Sequence, residues 1–169
     1  ITHFYETARK KNLSFTFALI YTVTACANRV EEFRYRFLSG RVVLFDKIDT
    51  AFTYLDKETE LFKVVNVPFA GTMEEYVMAA SAAAEAQKEY FTGPLGNDVF
   101  QFSPMPWVTY RHISHTNPGR KDNATPLFDW GRYYESGGRL LLPFSVQAHH
   151  SFVDGLHIGR LAEQLQSSL

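Results

Sequence analysis

The seven residues His-His-Ser-Phe-Val-Asp-Gly, 149–155, are the residues of this sequence best suited to proton transfer. They follow the apolar run 140–146 and precede a segment with helical spacing of its apolar residues. A neutral imidazole is a suitable general base near neutral pH because its unperturbed pKa is ~6.5. The pattern therefore predicts a histidine, at the end of a strand, that can remove a proton from a hydroxyl group.

Only one of the two histidines can face a given substrate while strand geometry lasts, because successive side chains of a strand point to opposite faces. Asp154 stands where the N-cap of the following helix is expected, so its carboxylate can accept hydrogen bonds from backbone N–H groups. Asp154 is therefore expected to be structural, capping the helix and pairing with a cation.

Two other interpretations of the same residues stay open. A metal site would recruit His149, His150, Asp154 and His157, but adjacent strand residues diverge and no Cys-x-x-Cys or His-x-x-x-His spacing accompanies them. We therefore predict no metal. Alternatively, both histidines are simply polar residues at a strand terminus.

Helices and short strands alternate along the chain that positions this motif. The sequence predicts helices over 14–28, 72–91 and 156–166, with Ser14 and a Thr72–Glu75 capping box at two of their starts. Strands are predicted in pieces of 33–69, at 99–102 and over 139–149. This order favours an α/β (α+β) two-layer sandwich, with a mixed β-sheet covered by helices on one face.

Composition narrows the class of protein further. The 169 residues, 46% of them hydrophobic, suit a single domain over 1–169. Seventeen basic and eighteen acidic side chains, without a large basic cluster, point to no nucleic-acid or membrane partner. The lone Cys26 fits a reducing compartment, so a cytoplasmic location is expected. The chain starts at Ile1 and enters organised sequence almost at once, so we expect a segment upstream.

Four segments of the sequence resemble those of a known enzyme family. The run LLLPFSVQAHHSFVDGLHIGRLAEQLQ, 140–166, closely resembles the C-terminal signature of chloramphenicol acetyltransferases. FQFSPMPWVTY, 100–110, resembles the family segment that ends in Ser-x-x-Pro-Trp, and NRVEEFRYRF and PLFDWGRYY resemble two further family segments. The resemblance implies a homotrimer of two-layer subunits with active sites at the interfaces. It also implies acetyl-CoA as a co-substrate and no permanently bound cofactor.

The resemblance also assigns roles residue by residue. It implies His150 as the general base, leaving His149 spare, and Ser103 as the hydroxyl that donates to the oxyanion. Asp154 completes the predicted catalytic set, as the family aspartate that pairs with an arginine near the N-terminus; that arginine is not in this sequence. Trp107, Arg132 and Tyr133 match positions near the coenzyme A channel, although core packing is an equal explanation for the two aromatics, and a turn serine is the alternative for Ser103.

Two positions depart from the family pattern. Asp129 stands where the family commonly has a threonine that helps to hold an active-site water, and Gln101 stands near a position often filled by Asn. The predicted activity is transfer of acetyl from acetyl-CoA to a hydroxyl of chloramphenicol. The alternatives are a related acyltransferase acting on a different small alcohol or xenobiotic, and a catalytically inactive trimeric homologue. Dihydrolipoyl acyltransferase cores and peptide-synthetase condensation domains share the motif, but condensation domains need two such lobes in one chain.

Overall fold

The computed structural model describes residues 1–92, 96–115 and 122–169. Its helices, in chain order, are α1 (Thr2–Lys10), α2 (Phe15–Asn28), α3 (Met73–Ala86) and α4 (Gly155–Ser168), with a 3₁₀ turn at Glu31–Arg34. Its strands are β1 (Tyr35–Leu38), β2 (Arg41–Leu44), β3 (Asp49–Leu55), β4 (Phe62–Val67), β5 (Val99–Phe102), β6 (Leu127–Trp130), β7 (Tyr134–Ser136), β8 (Arg139–Leu141) and β9 (Phe144–Gln147).

A five-stranded mixed sheet forms the framework of the fold. Its strand order is β4-β3-β5-β6-β9, in which β5 runs parallel to β3 and β6, while β4 and β9 are antiparallel edge strands. The pairs β1-β2 and β7-β8 form two separate antiparallel ribbons. The mixed sheet predicted from the sequence is confirmed.

The helices cover one face of this sheet. Alternate strand residues such as Phe52, Phe102 and Phe128 are fully buried, and Phe52 contacts Phe17 of α2 with ring centroids 5.1 Å apart. Because side chains alternate along a strand, Gln101 and Asp129 lie on the opposite face. We call this second surface the helix-free face. The two-layer architecture with helices on one face is therefore confirmed.

Local capping signals place the helix starts correctly. The Ser14 hydroxyl accepts a hydrogen bond from the Phe17 N–H, and Thr72 and Glu75 form the predicted capping box. The predicted end of the second of these helices, at residue 91, is wrong: α3 stops at Ala86. The Gln87 side-chain amide instead donates to backbone carbonyls that include that of Val64 in β4, so sheet contacts end the helix early.

Other predicted boundaries also differ. The strand predicted over 139–149 is two strands, β8 and β9, because proline has no N–H to donate at position 143. The backbone there still contributes an acceptor, since the Pro143 carbonyl accepts the Gly131 N–H. Helix α1 was not predicted, although it buries Phe4 and Ala8, four residues apart. Across the described residues, no helix is long and apolar enough to cross a membrane.

Candidate active site

The histidine pair lies in a turn between β9 and α4, not on the strand itself. Strand β9 ends at Gln147, and the Phe152 and Val153 N–H groups both bond the His149 carbonyl to close the turn. The two imidazoles have different surroundings. His149 lies edge-on to Phe37, with ring centroids 5.3 Å apart, and its Nδ1 accepts the Ser151 N–H at 3.2 Å. The predicted divergence of the rings therefore holds, but the turn produces it rather than strand alternation.

The imidazole of His150 is exposed and has a defined orientation. Its Nδ1 lies 3.2 Å from the backbone carbonyl oxygen of Val153. A carbonyl oxygen can only accept a hydrogen bond, so Nδ1 carries the proton and Nε2 is left with a free lone pair. This tautomer is the one a general base needs, with the basic nitrogen directed away from the anchoring contact.

Asp154 caps the helix that follows. Its carboxylate accepts hydrogen bonds from the Leu156 and His157 N–H groups at 2.9 and 3.4 Å, as the N-cap prediction required. Desolvation acts to raise the pKa of Asp154, but these N–H donors, together with the nearby His157 and His150, outweigh it and the pKa is lowered. His157 Nδ1 accepts the Asp154 N–H, and its Nε2 lies 3.2 Å from a Glu32 carboxylate oxygen. The basic side chain beside Asp154 is therefore His157, whereas the family resemblance implies an arginine at this place.

Ser103 lies at the far end of the sheet from His150. The Ser103 N–H donates to the Phe128 carbonyl at 3.0 Å, so the serine continues β5 and is level with Asp129 of β6. Asp129 is paired with Ser145 near the start of β9, whereas His150 follows the end of that strand. Strand spacing puts roughly 12 Å between the backbones of Ser103 and Gln147, and His150 lies beyond Gln147. One copy of the chain therefore does not bring His150 and Ser103 together.

The three residues predicted to contact coenzyme A lie in one exposed region. The backbone N–H of Arg132 donates a hydrogen bond to the Val108 carbonyl at 2.7 Å. The segment that follows β6 therefore lies beside the segment that contains Trp107. Tyr133 packs on Tyr5 with ring centroids 5.1 Å apart, and the side chain of Trp107 is 54% exposed. A pocket of about 570 Å³ beside Trp107 is also lined by Pro104, Pro106, Lys57 and Phe62. Trp107 is thus not part of the core, whereas Tyr133 is partly exposed and also packs on Tyr5 and Phe15.

Asp129, one of the two positions that depart from the family pattern, lies close enough to His115 to form an ion pair. The carboxylate of Asp129 is completely buried on the helix-free face, and its Oδ2 lies 2.9 Å from His115 Nε2. Burial raises the pKa of Asp129, and the nearby His115 opposes that rise. The sequence pattern indicated Asp129 but not His115, because the two residues are 14 positions apart in the sequence and share no motif. Gln101 lies on the same face, one strand away, and lines a polar pocket with Asn97 and Thr125.

No group of three or more His, Cys, Asp or Glu side chains suited to a metal ion occurs within 1–92, 96–115 and 122–169. The His149, His150, Asp154 and His157 set considered above is thus not such a group. The ring nitrogens of His150 and His157 are directed to separate partners. This region offers proton transfer and hydrogen bonding by side chains.

Comparison with known proteins agrees with these features. The family model for chloramphenicol acetyltransferase matches residues 1–166. Chloramphenicol acetyltransferase 2 of Escherichia coli is 31% identical over 152 residues, which cover 88% of this chain and 71% of that protein. The chloramphenicol acetyltransferase of Campylobacter coli is 32% identical over 157 residues, covering 89% and 75%.

Solved structures give the same result for the fold. A chloramphenicol acetyltransferase structure superposes with a TM-score of 0.87 at 26% identity, covering 97% of this chain and 81% of that one. A dihydrolipoamide acetyltransferase of Azotobacter vinelandii has a TM-score of 0.67 at 15% identity, covering 96% and 71%. The second similarity shows a shared fold alone.

Proposed function

Because this chain belongs to the chloramphenicol acetyltransferase family, we propose that it transfers the acetyl group of acetyl-CoA to a hydroxyl of chloramphenicol. The observation that carries the proposal is the exposed His150 imidazole, whose Nδ1 is anchored on the Val153 carbonyl while Nε2 has no hydrogen-bond partner in the described part of the chain. The fold supports it as well, through the match to a solved chloramphenicol acetyltransferase.

The proposed reaction needs no covalent enzyme intermediate. His150 Nε2 removes the hydroxyl proton as the alcohol oxygen attacks the thioester carbonyl. Ser103 donates a hydrogen bond to the oxyanion of the tetrahedral intermediate. The carbon–sulfur bond then breaks, and the protonated imidazole gives its proton to the coenzyme A thiolate, which restores the base. Asp154 acts by capping α4, which holds the turn that presents His150.

The separation of the two residues supports a shared site. His150 and Ser103 belong to opposite ends of the sheet, so a second copy of the chain is needed to bring one against the other. We propose a homotrimer in which the histidine of one subunit faces the serine of the next. Holding both substrates in one cleft supplies the proximity that a bimolecular transfer requires.

Acetyl-CoA is proposed to enter along the exposed region formed by Trp107, Arg132 and Tyr133. The guanidinium of Arg132 suits a coenzyme phosphate because it presents several N–H donors in a plane. The pocket beside Trp107 is proposed to receive the pantetheine arm, and Lys57 on its wall adds a cation. Acetyl-CoA acts here as a co-substrate. We further propose that residues 1–169 form one domain and that the protein works in the cytoplasm, where acetyl-CoA is made available by metabolism.

A different small alcohol or xenobiotic is the second candidate acceptor. The observation that favours it is Asp129, a buried carboxylate on the helix-free face beside Ser103. Such a group changes the polarity that an acceptor meets. A trimeric homologue that has lost catalysis is the outcome expected if no acceptor is turned over.

The decisive experiment follows free thiol release from acetyl-CoA with chloramphenicol present or absent, and identifies the product by mass. Acceptor-dependent thiol release with an acetylated product is expected. Release with another alcohol of a panel, but not with chloramphenicol, would support the second candidate. No release across the panel, with coenzyme still bound, would identify an inactive homologue.

Two variants test the residue roles. His150→Ala is expected to lower turnover at least about 10²-fold, and Ser103→Ala about 10²–10³-fold. His3→Ala, an exposed histidine on α1, is the matched control and should leave turnover unchanged. Near-normal turnover in folded His150→Ala would exclude it as the base, whereas near-normal turnover in Ser103→Ala would exclude only the oxyanion contact.

A further inference from the structure

A second oriented imidazole lies on the helix-free face, on the Ser103 side of the proposed cleft. His115 Nε2 is 2.9 Å from Asp129 Oδ2, and Asp129 is in register with Ser103 on the neighbouring strand. Adjacent strands are about 4.8 Å apart, so Ser103 and Asp129 are direct neighbours. The buried carboxylate holds the ring, while 30% of the His115 side chain remains exposed.

The polar atoms around this pair are not all satisfied. Asp129 Oδ1 and the Tyr110 hydroxyl are both buried and have no hydrogen-bond partner among the residues that the structure describes. Burial, with a smaller effect from the Asp129 charge, raises the pKa of Tyr110 to about 12, so the phenol keeps its proton. A buried carboxylate with one unpaired oxygen is costly. Holding the His115 ring in one orientation is a function that explains why a carboxylate is kept at this costly buried position.

The two ring nitrogens of His115 then have distinct tasks. A carboxylate accepts hydrogen bonds, so the Nε2–H of a neutral ring donates to Asp129 and Nδ1 keeps its lone pair. Nδ1 has no partner among the residues that the structure describes, and it is not one of the buried unpaired atoms. It is therefore open to a ligand that reaches this end of the sheet.

We propose that His115 binds the acceptor alcohol on the Ser103 side of the cleft and that Asp129 is its positioning residue. The inference rests on the proposed function and refines its substrate class. A free Nδ1 accepts a hydrogen bond, so it selects acceptors that carry a second donor, a further hydroxyl or an amide N–H, besides the hydroxyl that is acetylated.

The first test separates acceptor binding from coenzyme binding. In steady-state assays with acetyl-CoA and chloramphenicol, His115→Ala raises the KM for chloramphenicol about tenfold, as loss of one hydrogen bond predicts, while the KM for acetyl-CoA stays within about twofold. Asp129→Ala, which removes the acceptor of the His115 Nε2–H, has a similar effect, and combining the two changes adds little because Asp129 acts through His115. His112→Ala, an exposed histidine three residues away, is the matched control.

A second test uses a conservative replacement. His115→Gln keeps an amide donor for Asp129 and an acceptor oxygen, so it recovers part of the affinity for chloramphenicol that His115→Ala loses. Recovery by glutamine is expected only if the side chain at this position contacts the acceptor, since a purely structural role would not change the KM for chloramphenicol in this order.

The outcomes distinguish this inference from the proposed function. Active wild-type protein with an unchanged chloramphenicol KM in folded His115→Ala and His115→Gln overturns the role of His115 alone. If wild-type protein has no turnover, calorimetric titration with chloramphenicol decides: binding about tenfold weaker in His115→Ala supports the contact, equal binding overturns it, and no binding to wild-type protein overturns both proposals.

Discussion

A mixed-oligomer experiment tests whether His150 and Ser103 act across a subunit boundary. Two chains, one carrying His150→Ala and the other Ser103→Ala, are co-expressed with different affinity tags, and oligomers holding both tags are purified. Each variant alone is expected to keep at most about 1% of wild-type turnover, since each lacks one part of the proton-transfer or oxyanion machinery. Restored activity in the mixture requires that one site draw on two chains.

The size of the restoration follows from the topology. If each site takes its histidine from one subunit and its serine from the next, a trimer that holds both tags has native residues in both places at one of its three sites. The expected turnover is therefore about one third of wild type, at least tenfold above either variant. Sites formed within one chain would show no restoration, since every chain carries one of the two lesions.

A matched control separates shared sites from sites within one chain. Wild-type chains are expressed equally with the double variant, His150→Ala and Ser103→Ala on one chain, and trimers holding both tags are purified in the same way; they keep about one sixth of the sites if the site is shared and about one half if it is not. Thiol release and product mass are measured on the same preparations. A mixed oligomer no more active than the better single variant, together with a control near one half, would refute the shared site.

Three further perturbations follow from the packing around the site. Gly131→Ala would place a Cβ 2.6 Å from the Val108 carbonyl oxygen, so a lower melting temperature and a higher KM for acetyl-CoA are expected; unchanged values would contradict this close approach. Asp154→Ala removes the N-cap acceptor, and because the folded-state pKa of Asp154 is lowered, the resulting loss in melting temperature should be present at neutral pH and shrink as the pH falls through that pKa. Asp129 has a raised folded-state pKa, so its ionisation opposes folding: stability to urea should fall as the pH rises from about 4 through that raised pKa, and Asp129→Asn should lack this slope.

The parts of the fold that sequence reasoning predicted correctly are those fixed by local contacts. Ser14 and the Thr72–Glu75 pair start their helices through hydrogen bonds that span three residues, so the signal and its effect are adjacent in sequence. The end of α3 depends on Gln87 bonding a strand that is 23 residues away. A local capping pattern carries no information about such a distant contact, and the predicted helix is therefore too long.

The apolar run 140–146 shows a different limit. Its composition favours one long strand, yet Pro143 interrupts the ladder and leaves β8 paired only with β7 while β9 joins the main sheet. This break decides where His150 lies, because β9 ends at Gln147 and the histidine falls in the turn. The chemical role of the imidazole could be predicted from residue types. The anchoring of its Nδ1 on a carbonyl three residues later needed the turn geometry.

The candidate site thus consists of two parts. One part is a short continuous segment, and the other is a group of residues that the sheet brings together from distant positions in the sequence. His150 and Asp154 are four residues apart, and their arrangement depends on one turn and one helix cap. Ser103, Asp129 and His115 come from three separated segments and meet only because β5 and β6 run parallel in register. The first part lies at one end of the sheet and the second at the other, so neither forms a complete acyl-transfer site alone. In the proposed homotrimer a second copy of the chain supplies each part with the other, so the assembly and the activity are expected to be lost together on dilution.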